Sequence, residues 1–235
     1  MSLADLQDRR LQPELMDRPD LDPQTFVGAL RGLGRVNRAT GSLRILWPGI
    51  LQAARSQKSP LRILDIACGG GDVAIGLATR LRTKGIVAKV YGCDVNPLAV
   101  RHAEQEADRL NSSVSFFTLD AIEEELPSGY DVIMTSLFLH HLERRDACAF
   151  LARAAAKADH VLVHDLVRSR GSYLLAWIGV RGLLCNHVCR VDGPRSVEGA
   201  FTVDEAHCLA NEAGLHGHSL EARFPFRWLL QWSRV

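Results

Sequence analysis

The stretch Ile63-Leu64-Asp65-Ile66-Ala67-Cys68-Gly69-Gly70-Gly71-Asp72 constrains this chain more than any other. An apolar run of strand character passes directly into three glycines, and a helical pattern (Val73, Ile75, Leu77, Ala78, Leu81) follows at once. Glycines at such a turn bring bare backbone N–H groups beside a ligand at the carboxyl edge of a sheet. A second acid, Asp94, closes the next strand-like run, Lys89-Val90-Tyr91-Gly92-Cys93-Asp94. A glycine turn with a distal acid is the layout for a nucleoside cofactor: backbone for its polar end, carboxylate for the ribose hydroxyls.

Strand and helix patterns alternate from there. Strands are expected over Leu61–Ala67, Val87–Cys93, Val114–Leu119, Tyr130–Ser136 and Val161–Leu166. Helices are expected over Asp72–Arg82, Pro97–Leu110, Asp146–Ala156 and Thr202–Ala213, the last opening on a capping-box order, Thr202-Val203-Asp204-Glu205, and stopping at Gly214. Strands joined by helical crossovers make a parallel sheet. Two late strands, His218–Arg223 and Trp228–Ser233, joined by Phe224-Pro225-Phe226, add an antiparallel edge hairpin. The expected fold is α/β, a seven-stranded, mostly parallel sheet. Ahead of it, residues 1–58 read as a helical cap: Phe26, Leu30, Leu33 and Val36, then Leu43, Leu46 and Ile50 after a break at Gly41, with Pro48 limiting the second helix. Residues 59–235 form the main domain, and residues 167–200, with Tyr173, Trp177 and Ile178 among several arginines, read as an insertion that chooses the substrate.

With 28 basic and 27 acidic residues, the chain lacks the basic excess of a nucleic-acid-coating protein. The most apolar stretch, Tyr173–Leu184, is broken by Gly179, Arg181 and Gly182 and is shorter than a membrane span. No apolar leader core is seen in residues 1–25, so the expected location is cytoplasmic, with the six cysteines as reduced thiols. Cys185 and Cys189 stand one helical turn apart with no CxxC pair, so no metal is expected. A homodimer stays open.

The acids beside the glycines choose between cofactors. Ala74 at the sixth position weakly fits a dinucleotide turn, but Asp65 and Asp72 would repel a pyrophosphate and suit an amine and a sulfonium. No Gly-Lys-Ser/Thr follows, which excludes a P-loop.

At these residues the chain resembles the class I S-adenosylmethionine-dependent methyltransferases, whose fold is Rossmann-like. Asp65-x-x-Cys68-Gly69-x-Gly71-Asp72 is similar to their first motif, Gly92-Cys93-Asp94-Val95-Asn96 to their second, and Leu119-Asp120-Ala121 to the loop that meets adenine. Tyr130–Ser136 resembles the fourth strand, and His140-His141-Leu142 the turn after it in small-molecule members, including the ubiquinone/menaquinone-type group. The resemblance implies that Asp65, Ala67, Cys68, Gly69 and Gly71 hold the amino-acid end of S-adenosylmethionine. It implies further that Asp94 takes the ribose, Val95 and Ala121 flank the adenine, Asp120 accepts from its amine, and Ser136, Leu137 and His141 lie beside the methyl donor. S-adenosylhomocysteine would be the product.

Methyl transfer from a sulfonium is chiefly a matter of alignment, and a base is needed only where the nucleophile must lose a proton. His140 and His141 are the candidate bases. A phenol near 10 and a histidine near 6.5 differ by roughly 3.5 pKa units, about 5 kcal/mol, so concerted proton removal is easier than full prior ionisation. The fourth strand runs into Thr135-Ser136-Leu137-Phe138 rather than the Asn/Asp-Pro-Pro-Tyr of enzymes that methylate base amines. Asp165 has no evident metal partner, which leaves a magnesium-dependent catechol mechanism unsupported. The favoured function is O-methylation of a small hydrophobic or aromatic acceptor. The alternatives are C- or N-methylation of a quinone- or polyketide-like acceptor, or a non-catalytic cofactor-binding regulatory or assembly protein.

Overall fold

A computed structural model of the chain describes residues 6–56, 60–183 and 185–234. The boundary expected at residue 58 and the apolar Leu184 lie outside the described residues. The apolar runs become seven strands: β1 (Leu61–Ile66), β2 (Ala88–Asp94), β3 (Ser115–Thr118), β4 (Val132–Ser136), β5 (His160–Leu166), β6 (Ser219–Arg223) and β7 (Arg227–Ser233). They form one sheet in the order β3-β2-β1-β4-β5-β7-β6. The first five pair in parallel, while β7 runs antiparallel to β5 and β6 antiparallel to β7. All seven residues of β5 are buried, as expected of a central strand covered on both faces, whereas β6 at the edge buries none completely.

Alternation within the strands sorts two cores. Ile63, Val90, Met134, Leu162 and Leu229 face one side, under α2 (Ser42–Ser56), α3 (Asp72–Thr83) and α4 (Pro97–Arg109). Leu64, Ile66, Ile133, Val161 and Val163 face the other, under α5 (Arg144–Lys157) and α8 (Val203–Glu212). The capping box of α8 is present, with Thr202 and Glu205 serving each other's backbone.

The helix α1 (Pro23–Thr40) starts on Asp22, which accepts from the Thr25 N–H, and ends at Gly41 in the left-handed region. One expectation fails here: Pro48 does not limit α2, which runs through it to Ser56. An interior proline removes one hydrogen bond and costs about 3 kcal/mol. Leu46, Ile50 and Ala53 are fully buried on the sheet, and each large aliphatic contributes roughly 1.5–3 kcal/mol, so tertiary packing carries the helix past its proline. Gly49 lets the backbone come close, since a Cβ there would lie 2.5 Å from Leu162.

Residues 167–200 fold as α6 (Arg170–Gly182) and α7 (His187–Gly199). Cys185 and Cys189 direct their thiols to the Gly32 and Ala29 carbonyls at 3.8 and 3.4 Å, so both are packing groups between α1 and the α6–α7 segment. The N-terminal strap, residues 6–22, is tied across α7. The Arg10 N–H donates to the Glu198 carbonyl, and the Leu15 and Met16 N–H groups donate to Asp192 at 2.8 and 3.0 Å.

Candidate active site

The chain leaves β1 for β2 and β3 on one side, then returns to β4 on the other. That reversal opens a crevice beyond the carboxyl ends of β1 and β4, where open α/β sheets bind ligands. The backbone is strained at both strand ends: Ala67 and Leu137, neither a glycine, have φ of 54° and 57°. Gly71 caps α3 at φ 74°, and a Cβ there would sit 2.8 Å from the Phe116 ring.

The glycine amides are not bare. The Gly69 N–H donates to Asp94 Oδ2 at 2.9 Å, and the Gly71 N–H donates to the Cys68 carbonyl at 2.9 Å. The turn therefore shapes the crevice and fixes Asp94, a correction to the expectation of free donors at both positions. Asp94 Oδ1 accepts from the Asn96 N–H at 2.9 Å, so each carboxylate oxygen is anchored by one amide and keeps a further acceptor site. Burial raises the Asp94 pKa, against the lowering effect of those two amides.

Asp65 is 1 % exposed, and neither carboxylate oxygen has a hydrogen-bond partner among the described residues. Burial, then the charges of Asp72 and Asp94, push its pKa far above the carboxylate range. A dry, unpartnered carboxylate is costly and calls for a donor, and a cation suits it best. Asp72, expected to share that task, instead accepts from Asn37 Nδ2 at 3.2 and 3.3 Å and ties α3 to α1. The Ser136 Oγ, at the end of β4, is also buried without a partner. Cys68 is buried with its thiol pKa pushed well up by burial, which fits a packing role. Val95 is exposed at the rim, Ala121 is packed in the α5-side core, and Asp120 Oδ1 accepts from the Ile122 and Glu123 N–H groups.

Past β4 a short 3₁₀ turn, Leu139–His141, presents the two histidines side by side, ring centroids 4.2 Å apart. Their roles separate. His140 is buried, with Nδ1 2.7 Å from Asp165 Oδ1, while its own backbone N–H donates to Asp165 Oδ2 at 3.1 Å. Burial disfavours the charged imidazole, but the Asp165 charge and hydrogen bond, with Glu14, outweigh it and raise the His140 pKa. Burial likewise opposes the Asp165 charge, yet His140 and the Leu166 N–H hold its pKa low. An ionised Asp165 only accepts, so in the neutral ring Nδ1 carries the proton and Nε2 the lone pair. His141 keeps about a third of its side chain in solvent, and its pKa is lowered by dehydration and by His140.

Glu14 of the strap closes this pocket. Its Oε1 lies 3.9 Å from His140 Nε2 and 3.9 Å from His141 Nδ1, and it accepts from Ser196 Oγ at 2.6 Å. Burial lifts its pKa to about 7, against the lowering effects of His140 and Ser196. The cleft around these groups, bounded by Leu11, Gln12, Arg195 and Gly199, holds about 320 Å³. Arg9 fixes the turn beneath it, donating to the carbonyls of Gly199, His140 and Leu142 and lying 3.9 Å over the Phe201 ring. A larger hollow of about 510 Å³ along α5 and Glu212 lies elsewhere and touches none of these groups.

Glu14 and the Asp165–His140 pairing were not legible beforehand. Glu14 sits in a proline-interrupted segment with no periodicity, and Asp165 reads as one more strand-end acid.

The fold, and within it the stretch from β1 through α5, is similar to those of methyltransferases. Residues 63–158 match the family described as a methyltransferase domain. The chain is 30 % identical over 126 residues to the ubiquinone biosynthesis O-methyltransferase of Alkalilimnicola ehrlichii, a match covering 52 % of this chain and 49 % of that protein. The chain spans about half the length of the curated relatives it matches. Among solved structures it is similar to the S-adenosylmethionine-dependent methyltransferase SibL (TM-score 0.66, 16 % identity, 97 % of this chain and 64 % of that one). It is also similar to magnesium protoporphyrin IX methyltransferase from Synechocystis PCC 6803 with bound SAM (TM-score 0.56, 19 % identity, 93 % and 100 %). At these identities the structural likeness concerns the fold.

Proposed function

We propose that the chain is an S-adenosylmethionine-dependent O-methyltransferase acting on the hydroxyl of a small, hydrophobic or aromatic acceptor. The observation that carries this reading is the buried His140–Asp165 pair at the crevice, with the Nε2 lone pair facing the cleft under Glu14.

The residues present fit the cofactor. Asp65 is an unpartnered buried carboxylate suited to an ammonium group, and the two amide-anchored oxygens of Asp94 suit a pair of ribose hydroxyls. Asp120 keeps an oxygen for an adenine amine while the other caps its own turn. The left-handed backbone at Ala67 and Leu137 lets a ligand approach both strand ends closely. Bound there, S-adenosylmethionine supplies a methyl group already activated by a sulfonium.

The remaining work falls to the protein. Asp165 holds the imidazole of His140 in one tautomer and orientation, and the raised pKa of that ring narrows the roughly 3.5-unit gap to a phenol. Nε2 then accepts the hydroxyl proton as the oxygen attacks. The strap and α7 wall the cleft in which the acceptor would lie. The O-methyltransferase relatives support this choice of acceptor atom.

A screen of phenols, alcohols, amines and carbon acids with labelled methyl donor tests the reading. Label on a hydroxyl oxygen, lost in His140→Ala, is the expected result. Label on carbon or nitrogen alone, or on no acceptor, would overturn it.

A further inference from the structure

Glu14, His140 and His141 converge in a way that proton transfer alone does not require. One donor atom from each lies within 4.8 Å of the others. The two Glu14–histidine separations are 3.9 Å, too long for hydrogen bonds, yet all three groups face one another. Asp17 Oδ2 stands 3.8 Å from His141 Nδ1 and supplies a further carboxylate. Two ligands of a tetrahedral zinc at ~2.0–2.1 Å stand ~3.3–3.4 Å apart, so the two Glu14–histidine separations need to close by ~0.5 Å, and the histidine–histidine separation by at most ~1.4 Å, to hold one ion.

The surroundings are also those of a metal ligand. His140 gives its other ring nitrogen to a buried carboxylate, Asp165, at 2.7 Å, the arrangement that fixes the tautomer of a metal-binding histidine. Glu14 Oε1, the oxygen that faces the histidines, is held in place by the Ser196 hydroxyl, which donates to it at 2.6 Å. Two imidazoles and a carboxylate with open positions select a borderline divalent transition ion, zinc above all, over magnesium or calcium.

We propose that this cleft binds a zinc-class divalent cation through Glu14, His140 and His141, with Asp17 in reach as a fourth ligand. The site rests on residues from two parts of the chain, the strap and the turn after β4. Its functional consequence rests on the reading above: a cation on Nε2 takes the lone pair that would accept the acceptor's proton. The filled site and histidine-base catalysis therefore exclude each other, and the cation is a reversible inhibitor.

Cobalt(II), added alone to the metal-stripped full chain, reads the site without any acceptor. The expected result is one equivalent bound with a visible ligand-field band, displaced by zinc. Glu14→Gln and His141→Asn should each weaken it by about tenfold or more, with circular dichroism unchanged; if Glu14→Gln does not fold, the partly exposed His141 still provides the test. The exposed His207–His218 pair, 2.8 Å apart, is the competing location. No visible band, or a band lost in His207→Asn/His218→Asn and kept in Glu14→Gln, overturns the site. Zinc should stop methyl transfer and a chelator restore it. Transfer that continues with the cobalt site filled overturns the exclusion and the histidine-base reading, while the metal site itself stands.

Discussion

Asp165→Asn tests how the buried pair works, because the carboxylate has three donors to satisfy. Oδ1 accepts from His140 Nδ1 and from the Leu166 N–H, both at 2.7 Å, and Oδ2 accepts from the His140 N–H at 3.1 Å. An amide has one acceptor oxygen. Placed at the Oδ1 position, that oxygen keeps Nδ1–H and Leu166 but turns the NH₂ onto the His140 N–H. Turned the other way, the NH₂ faces Nδ1, drives the proton to Nε2 and removes the lone pair from the cleft. Each orientation leaves a buried donor unmet at about 1–3 kcal/mol, and both remove the charge that raises the His140 pKa. We expect kcat for a phenolic acceptor to fall about 10²- to 10⁴-fold, ~2.7–5.5 kcal/mol, with the cofactor dissociation constant unchanged. The wild-type acid limb of kcat/KM should lie above the ordinary histidine value of about 6.5 and move down in the variant. Nitrogen NMR of His140 should show Nδ1–H in the wild type. An unchanged rate and pH profile, or an Nε2–H tautomer in the wild type, would refute the assignment.

Other expectations follow from the same geometry. Asp65→Asn should weaken S-adenosylmethionine about tenfold or more without lowering the melting temperature of the free protein, because the carboxylate has no partner there to lose; equal affinity would remove the amine assignment. His164, fully buried with neither ring nitrogen bonded and its pKa pushed down by burial to about 3, stays neutral in the fold while the unfolded chain takes up a proton below about 6.5. Its contribution to stability is therefore lost as pH falls from about 6.5 towards 3, and His164→Leu should flatten that loss by about 1.4 kcal/mol per pH unit, read by denaturant titration between pH 4 and 6; parallel curves would contradict it. Pro48 is exposed within α2, so Pro48→Ala should raise stability by about 1–3 kcal/mol, and a lower melting temperature would show that the proline fits the helix better than argued.

What could be read from the sequence was whatever a local pattern encodes. Strand and helix positions emerged within a few residues, because the period of burial is local: Ile63, Leu64 and Ile66 read as a strand as clearly as Val73, Ile75 and Leu77 read as a helix. The path through Pro48 could not be read, since the apolar contacts that carry α2 past it come from β5 and β7, distant in the chain. The acids at the crevice were visible as residues but not as partners. Asp72 turned to Asn37 and Gly69 to Asp94, both across distant elements. His140 stood out by type, yet its selection over His141 depends on Asp165 and on Glu14, which only the folded strap brings to the pocket.

The central claim is that the crevice between β1 and β4 holds S-adenosylmethionine with its ribose on Asp94. Isothermal titration of the cofactor into the full chain and into Asp94→Ala measures it directly. The account predicts single-site binding to the wild type and a loss of tenfold or more, at least ~1.4 kcal/mol, in the variant. No binding to the wild type, or equal affinity in a folded Asp94→Ala, would contradict it.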